Sequence, residues 1–292
     1  KCKNTMKQFY KLKPFNEQFF KENVFIKENE FDENKSHVGS GPRPGRNLTE
    51  EIDLEYIEKN PMVQKTLSTI LGSDYNIMQK IFVMAPPTNW IPDWWKKKYT
   101  DYGHLNICGY VNDEFRDMTY FYGVDYHQDI ADYRNRVGDF ITLYVYLDDV
   151  TSDMSPLHIL PKSHIFGVTT QPHDLKAIDN NKILYNDRIG NSSEFDYYSV
   201  TGSGGSVNFW SAYILHGTTR SPATNSPRIS LRYLIERGKS TEELPIDKFL
   251  KTITGPLTQG KSNKDSSYSD GKIQVGKQKG TGLLAGQVNT DL

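Results

Sequence analysis

Residues 139–149 read DFITLYVYLDD, and the way they alternate decides the fold. Thr142, Tyr144 and Tyr146 fall on one side and Ile141, Leu143 and Val145 on the other, which is the two-residue period of a β-strand. Immediately upstream, TYFYGVDYHQD (119–129) is equally rich in β-branched and aromatic residues. Downstream, LHILP (157–161), GSVNFW (205–210) and RISLRYLIE (228–236) read as further short strands with turn residues between them. Before this block, NIMQKIFVMAPP (76–87) reads as a strand ended by Pro86-Pro87. Strands do not alternate with helices here, and no internal repeat is visible. The pattern predicts a mainly β protein, an antiparallel sandwich or barrel with helices packed outside it.

The helices come first. Residues 14–31 (PFNEQFFKENVFIKENEF) predict a short helix followed by a short strand. SHVGSGPRPGRN (36–47) is a Gly/Pro-rich loop, after which Thr49 and two acids suit a helix N-terminus. A further helix starts with Asn60 as cap and Pro61 in its first turn. It carries Met62, Val63, Leu67, Ile70 and Leu71 as an apolar stripe and stops at Gly72. Residues 88–103 form a long insertion with three Trp. Residues 255–292 carry seven Gly among Lys, Ser, Thr and Asn, and predict a polar, loosely docked tail. The expected organisation is one domain over 1–254, with N-terminal helices in 14–72 and a β core over about 76–237, followed by the tail.

The 292 residues are enough for a substantial core. With 35 Lys and Arg against 36 Asp and Glu, the formal charge of -1 offers no electrostatic footprint for nucleic acid or an anionic membrane. No apolar run reaches the roughly 20 residues of a spanning helix, and no apolar segment follows the basic N-terminus as in a secretory signal. Cys2 and Cys108 lie in no CxxC pair, so neither a disulfide framework nor a zinc ribbon is expected. A cytoplasmic protein, monomeric or homodimeric, is the expectation.

His127-Gln128-Asp129 carries the first chemical signal. On a strand, residues two apart face the same way, so one imidazole and one carboxylate converge. With a third ligand they form a two-His-one-carboxylate facial set, which leaves adjacent positions open on a ferrous ion for O2 chemistry. Taken alone, the tripeptide fits a solvated strand end as well. His216, in SVNFWSAYILHGTT (206–219), supplies a third ligand from a later strand. Twelve residues on, Arg228 opens RISLRYLIE and shares a face with Ser230 and Arg232. A guanidinium beside a hydroxyl on an inward face is costly to bury without an anion. A dicarboxylate cosubstrate held by two parallel bonds from Arg228 and a third from Ser230 meets that need.

Together, His127-Gln128-Asp129, LHILPKSH (157–164), His216-Gly217 and Arg228-Ile229-Ser230 resemble the phytanoyl-CoA dioxygenase family. The resemblance runs from about residue 10 to residue 237. It implies a double-stranded β-helix, a jelly roll related to the cupins, and the use of Fe(II), 2-oxoglutarate and O2. Position by position it implies His127, Asp129 and His216 as iron ligands and Arg228 as the holder of the distal carboxylate. Tyr144 matches an aromatic beside the cosubstrate, with Thr142 on the same face. The chain departs from the family in carrying Ser155-Pro156 where the turn usually has Gly, Lys162 within PKSH, and Ala85 where some members place a lysine.

The expected activity is hydroxylation of an unactivated C–H bond in a small polar metabolite or natural-product intermediate, with release of succinate and CO2. Desaturation, epoxidation or cyclisation on the same iron, or a non-catalytic cupin-like binding module, are the alternatives. His164 reads as structural. His104 and His173 lie in loop-like stretches within reach of a substrate. Trp90, Trp94 and Trp95 read either as a lid or as anchors for the insertion, and Lys96–Lys98 as a solvated face.

Overall fold

The computed structural model describes residues 1–31, 42–99, 104–133, 136–169, 174–179, 181–186, 192–222, 226–258, 268–269 and 272–273. In chain order the strands are β1 (Asn76–Ala85), β2 (His104–Asn106), β3 (Thr119–His127), β4 (Phe140–Tyr146), β5 (Leu157–Ile159), β6 (Asp174–Asp179), β7 (Lys182–Asn186), β8 (Ser192–Asp196), β9 (Tyr198–Val200), β10 (Val207–Ser211), β11 (His216–Thr218) and β12 (Arg228–Glu236). Nine of them form one curled sheet in the order β10-β4-β12-β1-β3-β11-β5-β9, with β2 beside β3. The parallel pairing of β1 with β3 is confined to Val83↔Thr119 and Met84↔Tyr120. Strand β3 then leaves β1 and pairs antiparallel with β11. This departure folds the sheet over into a jelly-roll half-barrel, the mainly β fold that the sequence predicts.

Cross-strand register assigns the two faces of β4. Tyr144 pairs with Asn208 on one side and Arg232 on the other, and Arg232 in turn pairs with Ile81. This row faces the barrel interior, where Ile81, Val83, Tyr144, Tyr146, Leu157 and Trp210 pack together. The alternate row, with Leu143, Val145, Leu231, Tyr233, Phe82 and Met84, packs against the N-terminal helices through Phe9, Val63, Leu67 and Leu71. Both faces of β4 are therefore buried along its whole length, and only one of them is apolar throughout.

Helix Pro61–Leu71 begins as the sequence predicts: Asn60 Oδ1 accepts from the amides of Met62 and Val63, and Gly72 ends it at φ +93°. Its buried stripe is Val63, Leu67 and Leu71, whereas Met62 is 74% exposed. Thr49 does not cap a helix. Asn47, two residues earlier, accepts from the Thr49 amide (3.1 Å) and hydroxyl (2.8 Å), leaving a 3-10 turn over Leu48–Glu50. The predicted strand within 14–31 shrinks to one bridge, Phe25↔Val111, and the Phe25 ring packs against Trp95 and Tyr110.

The Trp insertion is an anchor in its described part, residues 88–99. Trp90 and Trp95 are each 1% exposed and join the helix-side core with Phe20, Phe25 and Tyr122. At roughly 25 cal/mol per Å2, a fully buried ring of this size contributes roughly 4–6 kcal/mol of transfer free energy, far too much for a lid that opens readily. His173 and the side chain of His104 lie outside the described residues.

Two features went unpredicted. A separate sheet, β6-β7-β8, covers the outer side of β3 and β5 with Ile183, Tyr185 and Phe195 against Tyr126, Leu160 and Leu215. A short helix, Pro245–Leu250, then leads into a strap. The first residues of the expected loose tail, 255–258, are docked: the amides of Gly255 and Val168 donate to the Ile165 and Pro256 carbonyls, and Tyr213 donates to that of Leu257. A Cβ on Gly255 would sit 1.8 Å from the Phe166 carbonyl oxygen, so only glycine permits this backbone contact. Of residues 259–292, the structure describes one short pairing, Tyr268↔Ile273 and Ser269↔Lys272. Among the described residues no helix is long and apolar enough to cross a membrane, and both cysteines are free.

Candidate metal centre

Strand β3 ends on His127, which pairs directly with His216 at the start of β11. Directly paired residues share a face, so the imidazoles lie side by side, with ring centroids 4.3 Å apart. Asp129 sits just beyond the strand, at the first position of a 3-10 turn. Gln128 is still extended (φ -117°, ψ 137°), so the alternation that puts Asp129 on the same side as His127 persists past the last ladder bond. The result is that one ligand atom from each of His127, Asp129 and His216 lies within 4.8 Å of the others.

Gln128, facing away, locks this arrangement. Its Nε2 donates to the carbonyls of Gly167 (2.9 Å) and Tyr213 (2.7 Å), and its Oε1 accepts from the Thr169 amide (2.9 Å) and hydroxyl (3.0 Å). Gly167 is itself held beneath the strap by the neighbouring Val168–Pro256 bond. A buried amide with four partners fixes the backbone between the two candidate ligands.

The carboxylate of Asp129 is 3% exposed and fully bonded. Its Oδ2 accepts from the Thr142 hydroxyl (2.5 Å) and from Trp210 Nε1 (3.1 Å). Its Oδ1 accepts from Arg232 (2.5 Å) and faces His216 Nε2 at 3.7 Å. Burial alone would raise this carboxyl's pKa. The Arg232 guanidinium, then His216 and His127, and the Thr142 bond outweigh burial and hold it well below the usual carboxylate range. His216 Nδ1 lies 2.9 Å from the Ile214 carbonyl, which fixes the tautomer with that nitrogen protonated and turns an Nε2 lone pair toward Asp129. Burial chiefly lowers the His216 pKa, opposed by the Asp129 charge. The site therefore stands ionised at Asp129 and neutral at His216, the states a cation requires.

Deeper in the same interior, Arg228 is 2% exposed. One guanidinium nitrogen donates to the Tyr144 hydroxyl at 3.0 Å, and the group lies 5.6 Å from that ring's centroid. Its Nε and the Ser230 hydroxyl, which share a face of β12, are buried without a partner. Thr142, expected beside a cosubstrate, bonds to Asp129. Sequence reasoning missed what Gln128, Trp210 and Arg232 do. Arg232 had a visible signal, since it stands on the inward face four residues from Arg228.

His158 and His164 serve the framework. His158 pairs with Gly217 and points away from the face of Ile159 and His216. Its Nδ1 lies 2.5 Å from the Tyr197 hydroxyl, with the rings stacked. Burial, and secondarily Arg228, push its pKa from 6.5 down to about 3. The folded state thus keeps His158 neutral while the unfolded chain takes up a proton below pH 6.5. The resulting stability is fully present above that pH and is lost as pH falls toward 3. His158→Phe keeps the stacking. Between about pH 6 and 4, unfolding free energy from urea titrations should fall less steeply by about 1.4 kcal/mol per pH unit. An unchanged slope would count against a neutral, buried His158. His164 packs on Phe249 and lies 3.3 Å from the Thr252 hydroxyl.

A family model described as Phytanoyl-CoA dioxygenase (PhyH) matches residues 120–229. No curated protein matches. Among solved structures, the apo form of the non-heme monooxygenase ThoJ is similar at 13% identity and TM-score 0.39, covering 63% of this chain and 54% of its own. AviO1 from Streptomyces viridochromogenes Tue57 is similar at 13% identity and TM-score 0.40, covering 82% of this chain and 85% of its own. EvdO2 from Micromonospora carbonacea var. aurantiaca is similar at 17% identity and TM-score 0.37, covering 68% and 67%. The chain spans about half the length of the two ThoJ structures it matches, 54% and 53%.

The family's cofactors are Fe(II) and 2-oxoglutarate, and the residues present fit both. Two imidazoles and one carboxylate suit a ferrous ion with positions left over. The unpartnered Arg228 Nε and Ser230 Oγ suit a carboxylate. Residues 120–229, which hold His127, Asp129, His216 and Arg228, are the part of the chain that matches the phytanoyl-CoA dioxygenase family model.

Proposed function

We propose that the chain is a 2-oxoglutarate-dependent hydroxylase acting on a small polar metabolite or natural-product intermediate. In the overall reaction an R–H substrate, 2-oxoglutarate and O2 give R–OH, succinate and CO2. His127, Asp129 and His216 hold the iron, and Arg228 and Ser230 take the far carboxylate of 2-oxoglutarate. The reading rests above all on two buried polar groups of β12, Arg228 Nε and Ser230 Oγ, that lack partners on the interior face shared with Thr142 and Trp210. Leaving them bare is costly, and an anionic ligand removes that cost.

The bound iron supplies O2 activation and the oxidising power for the C–H bond. The chain's own residues position and exclude. Tyr144 accepts from Arg228 and lies against its guanidinium, which fixes the fork in one orientation and leaves Nε free for a carboxylate. Thr142 and Trp210 hold Asp129 Oδ2, so Oδ1 is the oxygen turned toward His216. Ile81, Val83, Tyr146 and Leu157 close the interior around this polar strip and keep bulk water from the reacting centre.

The test is titration of the anaerobic Fe(II) protein with 2-oxoglutarate. A weak visible charge-transfer band supports the hydroxylase. Its absence at saturating cosubstrate points instead to a cupin-like binding module. A substrate library scored by succinate release then identifies the compound class.

A further inference from the structure

Asp129 is satisfied before any metal arrives. Two of its three hydrogen bonds come from neutral donors, Thr142 and Trp210, and both go to Oδ2. The third comes from a cation, Arg232, at 2.5 Å from Oδ1. That oxygen is the one facing His216 Nε2, and so the one placed to bind a metal held by both imidazoles. The Arg232 side chain is 23% exposed and that of Asp129 is 3% exposed, so the pair is largely withdrawn from water. Register places Arg232 between Tyr144 and Ile81 on the interior face, with no freedom to swing to the helix side.

This geometry solves a problem that any facial metal site has when empty. A buried carboxylate with no countercharge is unstable, and would either take up a proton or draw the loop open to water. A guanidinium on the metal-facing oxygen prevents both. A carboxylate oxygen has two lone pairs, so Oδ1 accepts from Arg232 on one and keeps the other for a ligand bond. The same positive charge opposes a divalent cation arriving beside it.

We propose that Arg232 is a resident countercation for the metal-binding carboxylate, stabilising the metal-free site at the expense of metal affinity. The proposal rests on reading His127, Asp129 and His216 as metal ligands. A plain orienting clamp makes the opposite prediction, because losing a clamp weakens metal binding.

The test uses the whole chain and Co(II) or Zn(II) alone, with thermal melts and chelator-competition titrations as readouts. In Arg232→Met the metal-free protein should melt lower than the parent. Its metal-induced rise in Tm should be larger than the parent's, and its metal Kd tighter by about tenfold, the scale of removing one nearby like charge in a partly screened site. Arg232→Lys, which keeps the charge, should stay near the parent in both respects. A weaker metal Kd in Arg232→Met, or an unchanged metal-free Tm, overturns the proposal. If Arg232→Met does not fold, the double variant Asp129→Asn/Arg232→Met, in which neither charge remains, must fold. Its failure would show a role for Arg232 independent of Asp129 and would overturn the proposal too. A parent protein with no metal-induced shift at all would instead overturn the metal-site reading on which the proposal stands.

Discussion

Asp129→Ala is expected to release no succinate from 2-oxoglutarate and to bind Fe(II) at least about 100-fold more weakly, since even the outer partners of metal ligands act on a 10–100-fold scale. The loss has two parts. One is the missing ligand itself. The other is the set of donors left behind: the Thr142 hydroxyl, Trp210 Nε1 and the Arg232 guanidinium all converge on the Asp129 carboxylate. Removing one member of a buried ion pair costs about 3–5 kcal/mol when the survivor is wholly buried. Arg232 is 23% exposed, so water relieves part of this, and about 3 kcal/mol is the expected loss of metal-free stability. Urea midpoints on metal-free protein measure that loss, and anaerobic Fe(II) titration measures the binding. Retention of parental Fe(II) affinity in Asp129→Ala would remove the carboxylate from the metal site. Asp129→Asn separates the two parts, because the amide fills the same space and keeps an acceptor for Trp210 while removing the charge.

That contrast bears on what the sequence discloses. The alternation of β4 is visible because Thr142, Tyr144 and Tyr146 differ in polarity from Ile141, Leu143 and Val145, and the structure places those rows in the interior and against the helices. His127 and Asp129 are visible as a pair because strand alternation is local. Their meeting with His216 depends on β3 leaving β1 after two residues to pair with β11, which no local pattern encodes. Gln128 was illegible for the same reason. Its partners, Gly167, Thr169 and Tyr213, are scattered over later loops, and a polar residue between two ligands looks like a spacer. Arg232 was half legible: its face followed from Arg228, but its partner required knowing that the turn after β3 folds back over β12. The Trp insertion shows the limit of composition, since a lid and an anchor use the same residues and only burial separates them.

Arg228→Ala carries the second large effect and acts on a different ligand. Truncating one partner of a buried charge pair costs about 2–5 kcal/mol of binding, so the 2-oxoglutarate concentration needed for half-saturation should rise by about 30-fold to a few thousand-fold at 1.4 kcal/mol per tenfold. Fe(II) affinity should hold, because Arg228 bonds to Tyr144 and touches none of the three candidate ligands. Arg228→Lys should rescue only part of the loss, since a lysine keeps the charge but lacks the planar fork and the ring contact with Tyr144. Ser230→Ala, removing one hydroxyl bond to a charged group, should fall between the parent and Arg228→Ala, at about 10–100-fold. Stability should move the other way. Arg228 is buried with its Nε unpartnered and, among the described residues, no ion pair is formed with it. Arg228→Met, which fills the space without the charge, should therefore raise the melting temperature of the ligand-free protein even as cosubstrate binding collapses. A residue whose removal stabilises the empty protein and disables the loaded one is held in place by its ligand. If Arg228→Met instead melts lower and binds 2-oxoglutarate as the parent does, Arg228 is a framework residue and the dicarboxylate lies elsewhere.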